Sequence, residues 1–285
     1  MQDTRPTDLK LGLIGDKIAT SKAPLLHRLA GQHAGITVQY DRLVPPDMDL
    51  SFQGVLEHAR TSGYRGVNVT YPYKERAAAL VHVPDPAVAQ MGAVNTIVFS
   101  PSGPVGYNTD YSGFVQAFEH IRDIREPGTV CLIGTGGVGK AVAFALVTLG
   151  ANSIRCVDAD IAKARLLATS LKALNKRVKV EVFDHAEHAA KGADGLINCT
   201  PLGMEGDPRS PLERTAMSAA DWAFDAVYTP VKTPFLTNAQ AENLKTISGL
   251  ELFFGQGFDA WHLFSGRMPD REKLRADVLV QSPSF

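Results

Sequence analysis

The sequence predicts an α/β protein of two domains, the second built on a doubly wound parallel sheet. Three observations predict it. Short apolar runs alternate along the chain with longer amphipathic ones. A glycine-rich turn, Gly134 to Gly139, stands between an apolar run and a helical pattern. The polar segment REPGTV (125–130) breaks the chain just ahead of that turn, and 285 residues leave room for two ordinary domains.

In the first part LGLIG (11–15), VQYDRLV (38–44) and RGVNVT (65–70) read as strands, with helices starting near Pro24 and near Ser51. Residues 93–99 and 104–107 read as two further strands, joined as a hairpin by the turn Ser100–Gly103. A helix is expected after Asp110. Beyond the break come a strand at 129–133, the glycine turn, and a helix to about Leu149. A strand at 153–157, an Ala-, Leu- and Lys-rich helix at 161–174 and a strand at 178–183 follow. LINCT (196–200), WAFDAV (222–227) and KTISG (245–249) read as strands, and helical patterns close the chain around 251–265 and 270–281. This βαβαβ succession is that of a doubly wound sheet.

Composition narrows the function class. Hydrophobic residues make up 45% and charged residues 21%, ordinary for a protein with a real core, and the formal net charge is −1. No global field attracts nucleic acid or an anionic membrane. Cys131, Cys156 and Cys199 lie in apolar stretches, and an odd count there reads as buried thiols rather than a disulfide framework. MQDTRPTDLK lacks the apolar core of a signal peptide, and no apolar run approaches the roughly 20 residues that span a bilayer. A cytoplasmic protein is expected, monomer or homodimer, acting on a small molecule. His27, His33, His58 and His82 show no paired ligand spacing, so no metal is expected. Phe253, Phe254, Phe258, Trp261 and Phe264 recur at helical spacing and read as core.

The run Gly134-Thr135-Gly136-Gly137-Val138-Gly139 has the G-x-G-x-x-G spacing between a strand and a helix, where that motif has meaning. Gly134 permits the tight turn, Gly136 lets backbone N–H groups approach a pyrophosphate, and Gly139 allows close helix packing. The helix N-terminus adds the positive end of its dipole. Against the bland reading of a structural turn stands Asp158, which ends the next strand 24 positions after Gly134. A carboxylate there accepts hydrogen bonds from ribose hydroxyls and repels a 2′-phosphate, and Ala159 follows instead of an arginine. NAD is the expected cofactor.

Polar groups also gather at strand ends in the first part. Asn68, Thr70 and Lys74 lie in GVNVTYPYK, with the lysine at a helix start, where the dipole disfavours positive charge. On that segment alone a surface lysine remains open. Asn95 and Thr96 close GAVNT, and Asn108, Thr109 and Asp110 close GYNTD. Such a collection suits a ligand with several hydroxyls.

These segments, with Ser21-Lys22-Ala23-Pro24, Asn198 to Met204, Asp225 to Pro230 and Gly249 to Gln256, are where the chain resembles the shikimate dehydrogenase family, most closely its NAD-preferring quinate/shikimate branch. The resemblance covers nearly the full length. It implies an N-terminal α/β substrate domain (1–112, rejoined by the C-terminal helices, 250–285), a Rossmann NAD-binding domain (113–249), and an active site in the cleft between them. It implies Lys74 and Asp110 as a catalytic pair, and substrate contacts from Ser21, Asn68, Thr70, Asn95, Tyr228 and Gln256. Gly134, Gly136, Gly137, Val138, Gly139, Asp158 and Thr200 would hold the cofactor, with Pro201 and Met204 at a turn beside the nicotinamide.

The chain departs from the family at one place. The family's first motif reads S-x-S or S-x-T, and both hydroxyls grip a substrate carboxylate; here Ala23 takes the second place. The expected activity is oxidation of a ring hydroxyl on quinate, shikimate or a close analogue. Three alternatives stay open: an NADP-linked biosynthetic enzyme, a paralogue acting on an amino-substituted ring acid, and a non-catalytic NAD-sensing module.

Overall fold

A computed structural model describes residues 7–122 and 125–282. The chain forms two units. One runs up to Thr109 and takes the chain up again at Gln256; the other runs from Asp110 to Gly255. The division read from sequence stood at 112 and 250. Both observed changes of unit fall inside helices, where hydrophobic patterning carries no break.

The first unit opens with β1 (Asp8–Ile14), α1 (Ala23–Ala34), β2 (Thr37–Leu43), α2 (Phe52–Thr61), β3 (Gly66–Val69), α3 (Lys74–Ala78), α4 (Pro86–Met91), β4 (Thr96–Ser100) and β5 (Gly103–Tyr107). Its strands are ordered β2-β1-β3-β4-β5. β1 runs parallel to both neighbours, whereas β3, β4 and β5 are antiparallel. Leu11, Ile14, Val67, Val69 and Ile97 are buried, which is why these short runs are apolar throughout.

The strand expected at 93–99 begins only at Thr96, because α4 precedes it. The Asp85 carboxylate accepts from the N–H groups of Ala87 (2.8 Å) and Val88 (3.3 Å), and Gly92 ends the helix at φ 65°. The next residues bond to different neighbours: the N–H of Val94 donates to the Lys74 carbonyl and that of Asn95 to the Tyr107 carbonyl.

The second unit contains α5 (Thr109–Arg122) from its second residue on, β6 (Thr129–Ile133), α6 (Gly137–Thr148), β7 (Ser153–Val157), α7 (Ile161–Leu174), β8 (Lys179–Phe183), α8 (Ala186–Ala190), β9 (Gly195–Asn198), β10 (Trp222–Asp225), α9 (Pro234–Ala241) and β11 (Lys245–Ile247). Its six strands run parallel in the order β11-β10-β9-β6-β7-β8. The order reverses between β6 and β9, which makes their carboxyl ends the switch point of a doubly wound sheet. Helix α6 is apolar on every side because Ala141 through Val147 are all buried.

Several strands stop earlier than the sequence suggests, and two of them are ended by their own last side chains. β9 ends at Asn198, whose Oδ1 turns back to accept from the N–H of Thr200 (2.9 Å). β10 ends at Asp225, whose Oδ1 likewise accepts from the N–H of Val227 (2.9 Å). These side-chain turns compete with the ladder for backbone donors. Cys199 lies past the end of β9 and is half-buried, a correction to the expectation of three buried thiols. Cys131 and Cys156 are buried, and burial pushes both thiols up to about 12.

Helix α10 (Gly249–Ser265) contains the second change of unit, and α11 (Arg271–Gln281) follows it in the first unit. There Arg65 Nε donates to the Phe264 carbonyl (3.1 Å), Arg267 Nη1 to the Ala34 carbonyl (2.6 Å), and His33 meets Asp277 at 2.7 Å. The five aromatics at helical spacing, Phe253 to Phe264, are all buried. Among the described residues, no helix is long and apolar enough to cross a membrane.

Candidate functional site

The switch point of the second unit gathers every residue expected to hold a dinucleotide. Gly134 leaves β6 at φ 94°, and a side chain there would press on the backbone of Cys199 and Thr200 (2.7 and 2.9 Å). The fold therefore requires glycine at this position. Gly139 is required too, since a Cβ would collide with the Gly134 carbonyl oxygen. Gly136 is different. It caps the N-terminus of the twelve-residue α6, and a Cβ there would meet no protein atom within 4 Å. Nothing in the fold requires glycine at Gly136, whereas a pyrophosphate lying against the helix's first N–H groups would. The residues present fit a dinucleotide.

Asp158 follows β7 and reaches the same turn. Its Oδ2 accepts from both the N–H and the hydroxyl of Thr135 (2.7 Å each), and its Oδ1 accepts from the N–H of Asp160 (2.9 Å). Burial pushes the carboxyl up, but the bonds from Asp160 and Thr135, with Lys163 nearby, outweigh it and hold the pKa below the usual carboxylate value. Asp158 is thus an anion at neutral pH. Sequence reasoning placed Asp158 but missed Thr135, the buried partner that ties it to the glycine turn.

Thr200 enters from β9, its hydroxyl donating to Asn198 Oδ1 (2.6 Å). Asn198 Nδ2 donates to Asp225 Oδ1 (3.0 Å), and the Thr233 hydroxyl to Asp225 Oδ2 (2.6 Å). These bonds clamp the loops that follow β9 and β10. Burial pushes the Asp225 carboxyl up to about 6, against the lowering effect of the bonds from Thr233, Val227 and Asn198. The same loops line an open cleft of about 520 Å³ that includes Met204, Asp207, Thr229 and Lys232.

The first unit holds a buried polar chain of a kind that strand packing alone does not require. The Tyr40 hydroxyl donates to Asn68 Oδ1 (2.8 Å), and Asn68 Nδ2 donates to Thr96 Oγ1 (3.0 Å). The Thr96 hydroxyl donates to Asn95 Oδ1 (3.0 Å), which also accepts from the backbone N–H of Thr109 (2.8 Å). Asn95 Nδ2 donates to Thr109 Oγ1 (3.0 Å). All five residues are buried. His27 stacks on Tyr40 (5.0 Å); burial pushes its pKa down to about 3, against the raising effect of the Asn68 side chain, so it is neutral. The structure thereby joins two expected substrate residues, Asn68 and Asn95, through Thr96, with Tyr40 and Thr109 at the two ends, three residues to which the sequence assigns no role. Thr96 and Thr109 sat inside motifs already singled out; Tyr40 carried no signal beyond its place in a strand.

The remaining expected residues are distributed between the units. Ser21, Thr70, Lys74 and Gln256 belong to the first, Asp110 and Tyr228 to the second. Ser21 sits in a loop held by Arg42, which donates to the carbonyls of Ile18 (3.0 Å) and Ser21 (3.1 Å). Ser21 Oγ accepts from the N–H of Ala23 (3.3 Å). Lys74 opens α3 and is only 9% exposed, and Asp110, in the first turn of α5, only 5%. Tyr228 stacks on Phe253 with ring centroids 5.1 Å apart.

A six-stranded parallel sheet in this order, with a glycine turn and an anchored acid at its switch point, defines a Rossmann-type dinucleotide-binding unit, joined here to a mixed-sheet unit. Comparison with known proteins narrows the class. The family model described as the shikimate dehydrogenase substrate binding domain matches residues 13–97. The quinate/shikimate dehydrogenase (NAD(+)) of Corynebacterium efficiens is 36% identical over 275 residues, 94% of this chain and 97% of that protein. The chain belongs to the shikimate dehydrogenase family. Among solved structures, quinate dehydrogenase from Corynebacterium glutamicum in complex with NAD matches with a TM-score of 0.86 at 31% identity, covering 96% of this chain and 99% of that one. Shikimate 5-dehydrogenase from Thermus thermophilus in complex with NADP(H) and shikimate matches at 0.82 and 30% identity, covering 95% and 98%.

Proposed function

We propose that this protein oxidises a ring hydroxyl of quinate, shikimate or a close analogue to the 3-dehydro ketone with NAD as acceptor. The observation that carries the proposal is the burial of Lys74 and Asp110, a costly placement for charged side chains, in the two motifs that the family resemblance singles out. Oxidising a secondary alcohol removes the carbinol hydrogen as hydride, which the oxidised nicotinamide accepts when bound, and frees the hydroxyl proton. Lys74 and Asp110 hydrogen-bond the reacting oxygen, stabilise its developing negative charge and take up the proton as a coupled pair. Asp110 stands where a helix dipole favours an anion, Lys74 where it disfavours a cation.

Asn68 and Asn95 hold ring hydroxyls, with Ser21, Thr70, Tyr228 and Gln256 completing the contacts. The glycine turn Gly134–Gly139 and Thr200 hold the dinucleotide, and the Asp158 anion supports NAD over NADP. Ala23 supports a second reading, in which the ring acid is altered or its carboxylate loosely held. Steady-state kinetics of the purified protein with quinate and shikimate, each with NAD and NADP, tests the proposal. Turnover with NAD at a kcat/KM at least about ten times that with NADP is expected, the lower part of the range for charge repulsion near a surface. Absence of turnover with both ring acids would refute it.

A further inference from the structure

The buried chain in the first unit has a direction, and one group sets it. A backbone N–H only donates, so the Asn95 atom 2.8 Å from the N–H of Thr109 is the carboxamide oxygen. That oxygen has no hydrogen, so the Thr96 hydroxyl 3.0 Å away gives it its single proton. Thr96 Oγ1 is then left to accept, and the Asn68 atom 3.0 Å from it is the nitrogen. The Asn68 oxygen consequently faces the Tyr40 hydroxyl at 2.8 Å. Turning Asn68 over would oppose its oxygen to the Thr96 oxygen in a place closed to water.

Both carboxamides are therefore locked with their oxygens satisfied inside the unit. Each nitrogen carries two hydrogens, of which the chain uses one, on Thr96 for Asn68 and on Thr109 Oγ1 for Asn95; the His27 bond favours the protonated ring and so goes to the Asn68 oxygen. What each amide offers a ligand is its second N–H. We infer that Thr96 and Tyr40 are positioning residues that fix Asn68 as a donor beside Asn95, whose own polarity the Thr109 N–H sets, so that this site selects ring hydroxyl oxygens and rejects an ammonium group in their place. A hydroxyl oxygen accepts from such an N–H, whereas an ammonium has three donors and no acceptor. The inference rests on the reading that Asn68 and Asn95 contact the substrate, and it makes this chain a poor enzyme for ring acids aminated at those positions.

The test measures binding by calorimetry and kcat/KM for shikimate and for analogues bearing an ammonium in place of each ring hydroxyl in turn. Wild type, Thr96→Val, Thr96→Ser and Tyr40→Phe are compared. Wild type should prefer shikimate by at least about 100-fold over the analogue aminated at a contacted position, the two-bond equivalent of mispaired polar groups. Thr96→Val should shrink that ratio at least tenfold and Thr96→Ser restore it, a reversal that loss of packing would not produce. Tyr40→Phe should shrink it as well and carries the test if Thr96→Val does not fold. Equal binding of all analogues by wild type, or a ratio unmoved in Thr96→Val and Tyr40→Phe, overturns the inference.

A second readout needs no substrate. In the free protein, nuclear Overhauser contacts from the Asn68 carboxamide protons should reach the Thr96 methyl group. Contacts to the Tyr40 ring instead would show the opposite polarity and overturn the inference. If neither shikimate nor quinate binds, the proposed function fails, and the spectrum still decides the direction of the chain.

Discussion

Replacing Asp158 by asparagine removes one charge from the dinucleotide site and leaves the side chain's size unchanged. The carboxylate is anionic at neutral pH because the bonds from Asp160 and Thr135 hold its pKa down despite burial. A 2′-phosphate about 4 Å away would be repelled by roughly 1–4 kcal/mol for an effective dielectric between 80 and 20, or about 5- to 1000-fold in affinity. The substitution has a second effect. Asp158 has about four acceptor sites and already satisfies three N–H or O–H groups, two of them on buried Thr135. An asparagine offers one oxygen, so a backbone N–H of Thr135 or Asp160 loses its partner at about 1–3 kcal/mol. That loss loosens the glycine turn for both cofactors alike and cancels in their ratio. Initial rates with NAD and with NADP should therefore show both KM values affected, and the NAD:NADP ratio of kcat/KM falling by about tenfold or more. Adding Ala159→Arg should lower it further by giving the phosphate a bidentate partner. A ratio unmoved by Asp158→Asn, or a wild type that uses both cofactors equally, would refute the argument.

Two further outcomes follow from the first unit. Ala23→Ser or Ala23→Thr, at the first residue of α1 beside Ser21, should raise kcat/KM for quinate and shikimate about tenfold through KM, the lower end for a hydrogen bond to a charged group; an unchanged KM in steady-state kinetics would show that Ala23 has no part in the grip. His27 has a pKa lowered by burial from 6.5 to about 3, so its contribution to stability is complete above pH 6.5 and is lost as the pH falls toward 3, where the unfolded chain takes up the proton first. Denaturant unfolding should show wild type losing roughly 3 kcal/mol more than His27→Phe between pH 7 and pH 4; parallel curves would contradict a buried neutral imidazole.

Some of this was legible in the chain and some was not, for physical reasons. The strands at 129–133 and 153–157 and the helix at 161–174 stand where the sequence placed them, because buried parallel strands are unbroken apolar runs set between glycines and amphipathic helices. Helices α4, α8 and α9 were not anticipated, being too short to show a 3.6-residue period. The signals of α4 and α9 were of another kind: Asp85-Pro86 and Thr233-Pro234 both join a capping side chain to a proline at the first turn. At the site, the glycine turn and Asp158 could be found by spacing. The pairing of Asn198 with Asp225, and the run from Tyr40 to Thr109, could not. Those contacts depend on which strands are neighbours and in what register, as when Asn68 comes to lie opposite Thr96 across β3 and β4.

The central claim is that Lys74 and Asp110 act together on the proton of the reacting hydroxyl. Steady-state kinetics of Lys74→Ala, Asp110→Ala and the double variant, with NAD and the better of the two ring acids, tests it most directly. Lys74→Ala should lower kcat by about 10²–10⁴-fold, the range for a positioned acid–base group, with NAD binding by fluorescence unchanged. The double variant should lose far less than the product of the two single losses, since groups acting as a unit are not additive. A Lys74→Ala enzyme that keeps more than about a tenth of kcat, or losses that simply multiply, would contradict the account.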